Sequence, residues 1–195
     1  MHQAIAIDPR PDYEPLVEIP EPFFLVPSIL FPHKNIENPA AACSQLDREK
    51  SPPLFIFIGA YAAEDFPHEI PADRGLVLGY VDRGMRDHLL ARCTAMILPS
   101  LYEGFGMPYA EALLAGKPVI ACDIPIAREV LGDDAIFIQP PFGSAEITAA
   151  IERFLQHGQQ PPSREVVERL KERTRPRKVA ERYLKLIRDL MPHSG

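Results

Sequence analysis

Six short apolar runs recur along the chain, most of them separated by stretches whose apolar residues return every three to four positions. The runs are residues 23–26, 54–58 (LFIFI), 75–80, 95–98, 118–122 and 135–139. A segment apolar at successive rather than alternate positions suits a strand buried on both faces of a parallel sheet. Helical periodicity is expected over residues 36–46, 84–92, 108–115, 127–131, 145–156, 164–173 and 177–191. Strands alternating with helices predict an α/β chain: a single Rossmann-like, doubly wound parallel sheet of about six strands. At 195 residues and 46% hydrophobic content the chain has material for one such domain and too little for two. The expected organisation is an extended lead-in or interdomain linker at residues 1–21, the domain at 22–175, and a C-terminal helix at 176–195 packing on or beside it.

The densest information lies between residues 95 and 122, AMILPSLYEGFGMPYAEALLAGKPVIAC. This reads as strand, loop, helix, strand. Pro108 suits the first helical position, where its missing N–H would be unpaired in any case, and Gly116 stands where a helix end takes a left-handed residue. The loop carries Glu103, Gly104, Phe105 and Gly106, and Glu111 lies within about the first turn of the helix. Loops that leave the carboxyl end of a parallel strand and enter a helix are where open α/β sheets bind ligands, because unpaired N–H groups and the helix dipole point there. Two carboxylates in that place, both pure acceptors, suit the vicinal hydroxyls of a sugar or a ribose. The competing reading makes Glu111 a partner of the helix dipole and Glu103 a solvated charge.

Upstream, PSILFPHKN joins the first run to the first helix. Asn35 is the expected N-cap of that helix. Lys34 would sit beside the helix N-terminus and add a full positive charge to an anion site suited to phosphate.

The segment PSLYEGFGMPYAEALLAGKPVIA, together with REVLGDDA, closely resembles the signature of the family 4 glycosyltransferases of GT-B fold. In that family a glutamate, seven intervening residues and a second glutamate (the EX7E motif) line the donor nucleotide-sugar site, and Glu103 and Glu111 have that spacing. The resemblance is to the C-terminal, donor-binding half of the GT-B fold, which implies that this chain corresponds to one half of such an enzyme. It implies that Glu111 binds the ribose hydroxyls and Glu103 holds hydroxyls of the transferred sugar. It further implies that Gly104, Phe105 and Gly106 offer backbone N–H groups to sugar and diphosphate, and that Lys34 balances charge on the departing diphosphate. No metal or other cofactor is implied; the substrate would be a nucleotide sugar, a GDP- or UDP-hexose, with GDP-mannose the weakly favoured choice. One departure stands out. Many members carry a phosphate-clamping arginine shortly after the first strand, where this chain has Ser28 and Ile29; His33 or backbone donors would have to compensate. Glu129 matches a common family glutamate expected to secure a helix near the site.

On this reading the partners are the nucleotide sugar and a missing N-terminal acceptor domain, in cis or in trans, without which the chain would be inactive. The alternative is a non-catalytic interaction module that keeps the fold and uses Phe31, Tyr102 and Phe105 as contacts. An epimerase or phosphorylase relative is a third reading, since fold alone does not fix reaction.

Charge is unevenly spread. Residues 164–189 hold ten Lys or Arg against five acids, which leaves an acidic remainder within a net charge of −6. An acidic body argues against nucleic acid, while the basic tail is either the solvated face of a terminal helix or a peripheral contact with an anionic membrane. No apolar run nears the roughly 20 residues that span a bilayer, and the first residues lack a signal-peptide pattern. A cytoplasmic location, with contact at the inner membrane face, is the expectation. Cys43, Cys93 and Cys122 have no metal-ligand spacing and read as small buried hydrophobes.

Overall fold

The computed structural model describes residues 18–47, 52–157 and 161–190. Most of the expected linker, residues 1–17, and the end of the last helix at Met191 lie outside these residues. Six strands, β1 (Phe23–Ser28), β2 (Leu54–Gly59), β3 (Gly75–Gly79), β4 (Ala95–Leu98), β5 (Val119–Cys122) and β6 (Ile136–Ile138), form one sheet in the order β3-β2-β1-β4-β5-β6. All five pairings are parallel. The helices are α1 (Glu37–Gln45), α2 (Arg83–Arg92), α3 (Met107–Leu114), α4 (Pro125–Leu131), α5 (Ser144–His157), α6 (Arg164–Thr174) and α7 (Pro176–Leu190). Right-handed crossovers put α1 on one face of the sheet, and α3 and α4 on the other, because strand order grows outward from β1 in opposite directions. This is the α/β, doubly wound sheet expected from the apolar runs.

Continuous hydrophobicity in the strands translates directly into burial on both faces. Phe23, Phe24, Leu25 and Val26 are each at most 1% exposed. On the face covered by α5, Phe24 meets Phe154 edge-on at 5.8 Å and Phe55 at 5.5 Å, and the file continues through Phe57 to Phe66. Each such side chain contributes about 1.5–3 kcal/mol on burial, so this one file rivals the net stability of a domain.

Helix boundaries follow local chemistry. Asp82 caps α2 by accepting from the Met85 N–H at 2.8 Å, which starts the helix one residue earlier than periodicity alone suggests. Pro125 starts α4 without a side-chain cap, its fixed φ suiting the first helical position, two residues ahead of the expected 127. At the end of α3 the N–H of Gly116 donates to Leu113 O and that of Lys117 to Ala112 O, a Schellman turn with Gly116 at φ +67°. Strand β3 stops at Gly79 (φ +63°), so Tyr80, expected at the strand end, is 76% exposed.

Asn35, the expected N-cap, does not cap α1. Residues Pro32–Lys34 form a short 3-10 turn that Asn35 closes in the left-handed region at φ 55°, and Ile36 occupies the cap position. The Asn35 side chain instead donates to Phe142 O at 3.0 Å and accepts from Asn38 at 2.5 Å, joining the loop after β1 to the loop after β6. A proline-led turn between strand and helix displaces the capping position by one residue.

The three cysteines are free and buried, and burial pushes the thiols of Cys93 and Cys122 up to about 12. Among the described residues no helix is long and apolar enough to cross a membrane. Helix α7 buries none of its residues, and Tyr183, Leu184, Leu186, Ile187 and Leu190 are all exposed on it.

Candidate active site

The chain runs outward from β1 to β3, then returns to β4 on the other side of β1. A crevice opens where strand order reverses, at the carboxyl ends of the strands. A cleft of about 390 Å³ lies at those ends, lined by Ser28 at the end of β1 and Ile29 after it, Gly59 at the end of β2, Tyr80 and Val81 after β3, and by Lys34, Arg86, Met107, Pro108 and Glu111. Lys34 and Glu111, 77 positions apart in sequence, therefore face one space.

Lys34 pairs with Glu103. Its Nζ lies 2.5 Å from Glu103 Oε1, and the two side chains are only 16% and 12% exposed. The loops that carry them are tied by their backbones, Leu101 N–H donating to His33 O at 2.8 Å. His33 thus serves the site through its carbonyl, while its ring stacks on Phe31 at 5.9 Å. Glu103 and Lys34 are brought together, and through Lys34 this pair reaches the cleft that Glu111 lines.

Glu111 is held from α2. Arg86 Nη1 donates to Glu111 Oε1 at 3.3 Å, and the same guanidinium donates from Nη2 to the buried Asp87 at 3.0 Å. Burial pushes the Glu111 carboxyl above its ordinary range; Arg86 draws it back, Asp87 adds to the rise and Arg83 opposes it. Ser28 and Ile29 stand where the family's arginine was expected, and both line the cleft.

The glycines of the loop differ in kind. Gly106 is the N-cap of α3 at φ +73°, and a Cβ there would lie 2.2 Å from the Tyr109 ring. Gly104 faces open space, and a Cβ there would meet nothing within 4 Å. The α3 amino end, preceded by these residues, offers N–H groups and a positive dipole end toward the crevice. Phe105 is partly buried and also faces a groove formed by Arg173, Val179, Arg182, Tyr183 and Leu186. Gly106→Ala is therefore expected to destabilise the domain by about 1–3 kcal/mol through strain at a positive φ and the clash with Tyr109. Gly104→Ala should leave stability within about 0.5 kcal/mol. Thermal denaturation of the two variants side by side checks the contrast.

Two residues near the site escaped sequence reasoning. Arg86 lay inside an unremarkable helical pattern, and only its contact with Glu111, 25 positions on, marks it. Tyr109 was not singled out within the α3 pattern; it is 1% exposed, its hydroxyl has no hydrogen-bond partner among the described residues, and burial, reinforced by Glu103, pushes its pKa up. Glu129 stands apart from the cleft, pairing with Arg173 and so joining α4 to α6.

The family model for glycosyl transferases group 1 matches residues 15–177. The chain belongs to that family. Among curated relatives of this group 1 domain, the O-antigen chain mannosyltransferase RfbU of Salmonella typhimurium is 28% identical over 134 residues, 62% of this chain and 35% of RfbU. The O-antigen chain mannosyltransferase B of Escherichia coli is 38% identical over 63 residues, 32% of this chain and 16% of that protein. Among solved structures, sucrose-phosphate synthase from Thermosynechococcus elongatus superposes with a TM-score of 0.68 at 21% identity, covering 87% of this chain and 45% of that one. HepE of Anabaena in complex with UDP gives 0.66 at 21% identity, covering 87% and 49%. The group 1 domain thus has the fold of one half of a GT-B glycosyltransferase, and it spans about a third or less of the length of these two curated relatives and under half of these solved structures.

Proposed function

We propose that this domain is the donor-binding half of a retaining glycosyltransferase that takes a hexose from a nucleotide sugar. The observation that carries the reading is the convergence of Lys34 and Glu111 on one cleft at the strand-order reversal, with Glu103 paired to Lys34 at its rim. In this reading Glu111 accepts from the ribose hydroxyls and Glu103 from hydroxyls of the sugar. The diphosphate lies over the α3 amino end and Gly104. As the bond between the sugar and the β-phosphate oxygen breaks and the anomeric carbon passes to an acceptor hydroxyl, which gives up its proton, negative charge builds on the departing diphosphate, and Lys34, exchanging its contact with Glu103 for phosphate, stabilises it. A lysine already in place supplies this charge without a divalent cation. Names of the curated relatives support mannose as the hexose; HepE, solved in complex with UDP and with UDP-glucose, supports a nucleoside diphosphate donor.

Calorimetric titration of the chain with GDP, UDP and ADP tests the reading. One of them should bind saturably, with the same affinity after EDTA treatment. No heat at millimolar nucleotide would favour the interaction module, for which Phe31 and Tyr102, 56% and 71% exposed beside the site, are the candidate contacts.

We propose also that a second, acceptor-binding half covers the exposed stripe Tyr183, Leu186, Ile187 and Leu190 of α7. The opposite arc carries Arg177, Lys178, Lys185 and Arg188, the chemistry of an anionic lipid contact. Cosedimentation with vesicles containing phosphatidylglycerol, undiminished by an added acceptor half, would assign this helix to the membrane instead.

A further inference from the structure

The contact between α2 and α3 joins three charged side chains. Arg86 Nε and Nη2 donate to Asp87 Oδ1 at 3.2 and 3.0 Å, and Nη1 donates to Glu111 Oε1 at 3.3 Å. Asp87 is 3% exposed and is also approached by Arg83 Nε at 3.4 Å, so the guanidinium of Arg86 is braced on a nearly buried anion. A planar fork with fixed donor directions can bridge two carboxylates in this manner; an ammonium cannot hold both with the same geometry.

We infer that Arg86 is a positioning residue for ribose recognition: braced on Asp87, it fixes the Glu111 carboxylate at the cleft wall as an acceptor for the ribose diol. This inference rests on the assignment of Glu111 to the ribose under the proposed function. It assigns a task to a residue on a helix outside the EX7E segment.

The charge environment supports it. Glu111 is faced by Arg86, Asp87 and Arg83 from α2, and Lys34 lines the same cleft from the loop after β1, itself paired with Glu103. Burial and Asp87 both favour the protonated carboxyl, and Arg86 is the strongest influence against it. Without Arg86, Glu111 would take up a proton at higher pH, and a protonated carboxyl has lost acceptor capacity. The loss is therefore largest at low pH and recovers as pH rises.

The test measures, by calorimetry on the chain between pH 5.5 and 8, the ratio of affinities for UDP and its 2′,3′-dideoxy counterpart, and likewise for GDP. In the unaltered chain the ribose form should bind more tightly. In Arg86→Gln that preference should fall about tenfold at low pH and recover only in part by pH 8, where the carboxylate is charged again but no longer held. Arg86→Lys, which keeps charge but not the bridge, should give an intermediate ratio, and it decides the matter if the glutamine variant does not fold. A preference unchanged in both variants overturns the inference. So does an equal weakening of both ligands at every pH, which would mean that Arg86 touches phosphate or base itself. An unaltered chain that binds nucleotide without preferring ribose, or binds none, overturns the ribose assignment itself and the inference with it.

Discussion

Replacing Lys34 by methionine is expected to slow sugar transfer about 10²- to 10³-fold when this domain is assembled with an acceptor-binding half. The effect should fall mainly on kcat, because the charge that Lys34 meets is greater in the transition state than in the bound donor. Methionine preserves most of the stem and removes the ammonium, both its charge and its donors. Glu103, 12% exposed and deprived of its partner, would then hold an uncompensated carboxylate. Some loss of stability should accompany the variant, and thermal denaturation separates it from the kinetic effect. Glu103→Gln on the same background should restore stability without restoring turnover, since a neutral amide leaves no charge stranded. A variant with unchanged kcat would remove Lys34 from the chemistry.

Glu111→Ala should weaken nucleoside diphosphate binding about 10- to 100-fold, through the loss of hydrogen bonds from the ribose diol to a carboxylate. Stability should not fall with it. The Glu111 carboxyl is raised by burial, so the folded chain binds the proton more readily than the unfolded chain. Such a group lowers stability as pH rises from the unfolded value toward the folded one, and at neutral pH it is a net cost. Removing it, while Asp87 still holds Arg86, should leave the melting temperature unchanged or raised at pH 7. Calorimetric binding and thermal melting on the same samples read the two effects together. Lower affinity with lower stability would instead describe a structural carboxylate.

Much of the fold was legible because its signals are local. Continuous apolar runs marked all six strands, since a doubly covered strand leaves no polar alternation. Pro108 and Gly116 bracketed α3 to within a residue, because a fixed φ and a left-handed residue each act on the chain where they stand. The two glutamates were legible as a spaced pair, one in the loop and one on that helix, although Glu111 falls past the first turn, where it was expected. Contacts across the sequence were not. The Lys34–Glu103 pair spans 69 positions, and neither residue's neighbours announce the other. Arg86 reaches Glu111 only because the β3–α2 connection brings α2 beside α3, and a helical pattern around an arginine gives no hint of the face it presents. Asn35 satisfied every local rule for a cap and was overruled by a turn beginning at Pro32 and by Phe142, 107 positions away.

The cleft above β1, β2 and β3 is where a nucleoside diphosphate should lie, and methyl NMR of the chain during a UDP or GDP titration tests that placement most directly. The account predicts saturable shifts for Ile29, Ile58, Val81 and Met107, which line the cleft. Val119 and Ile136, in the groove at the opposite ends of β5 and β6, should stay still. Shifts confined to Val119 and Ile136, or a spectrum unmoved at millimolar nucleotide, would contradict it.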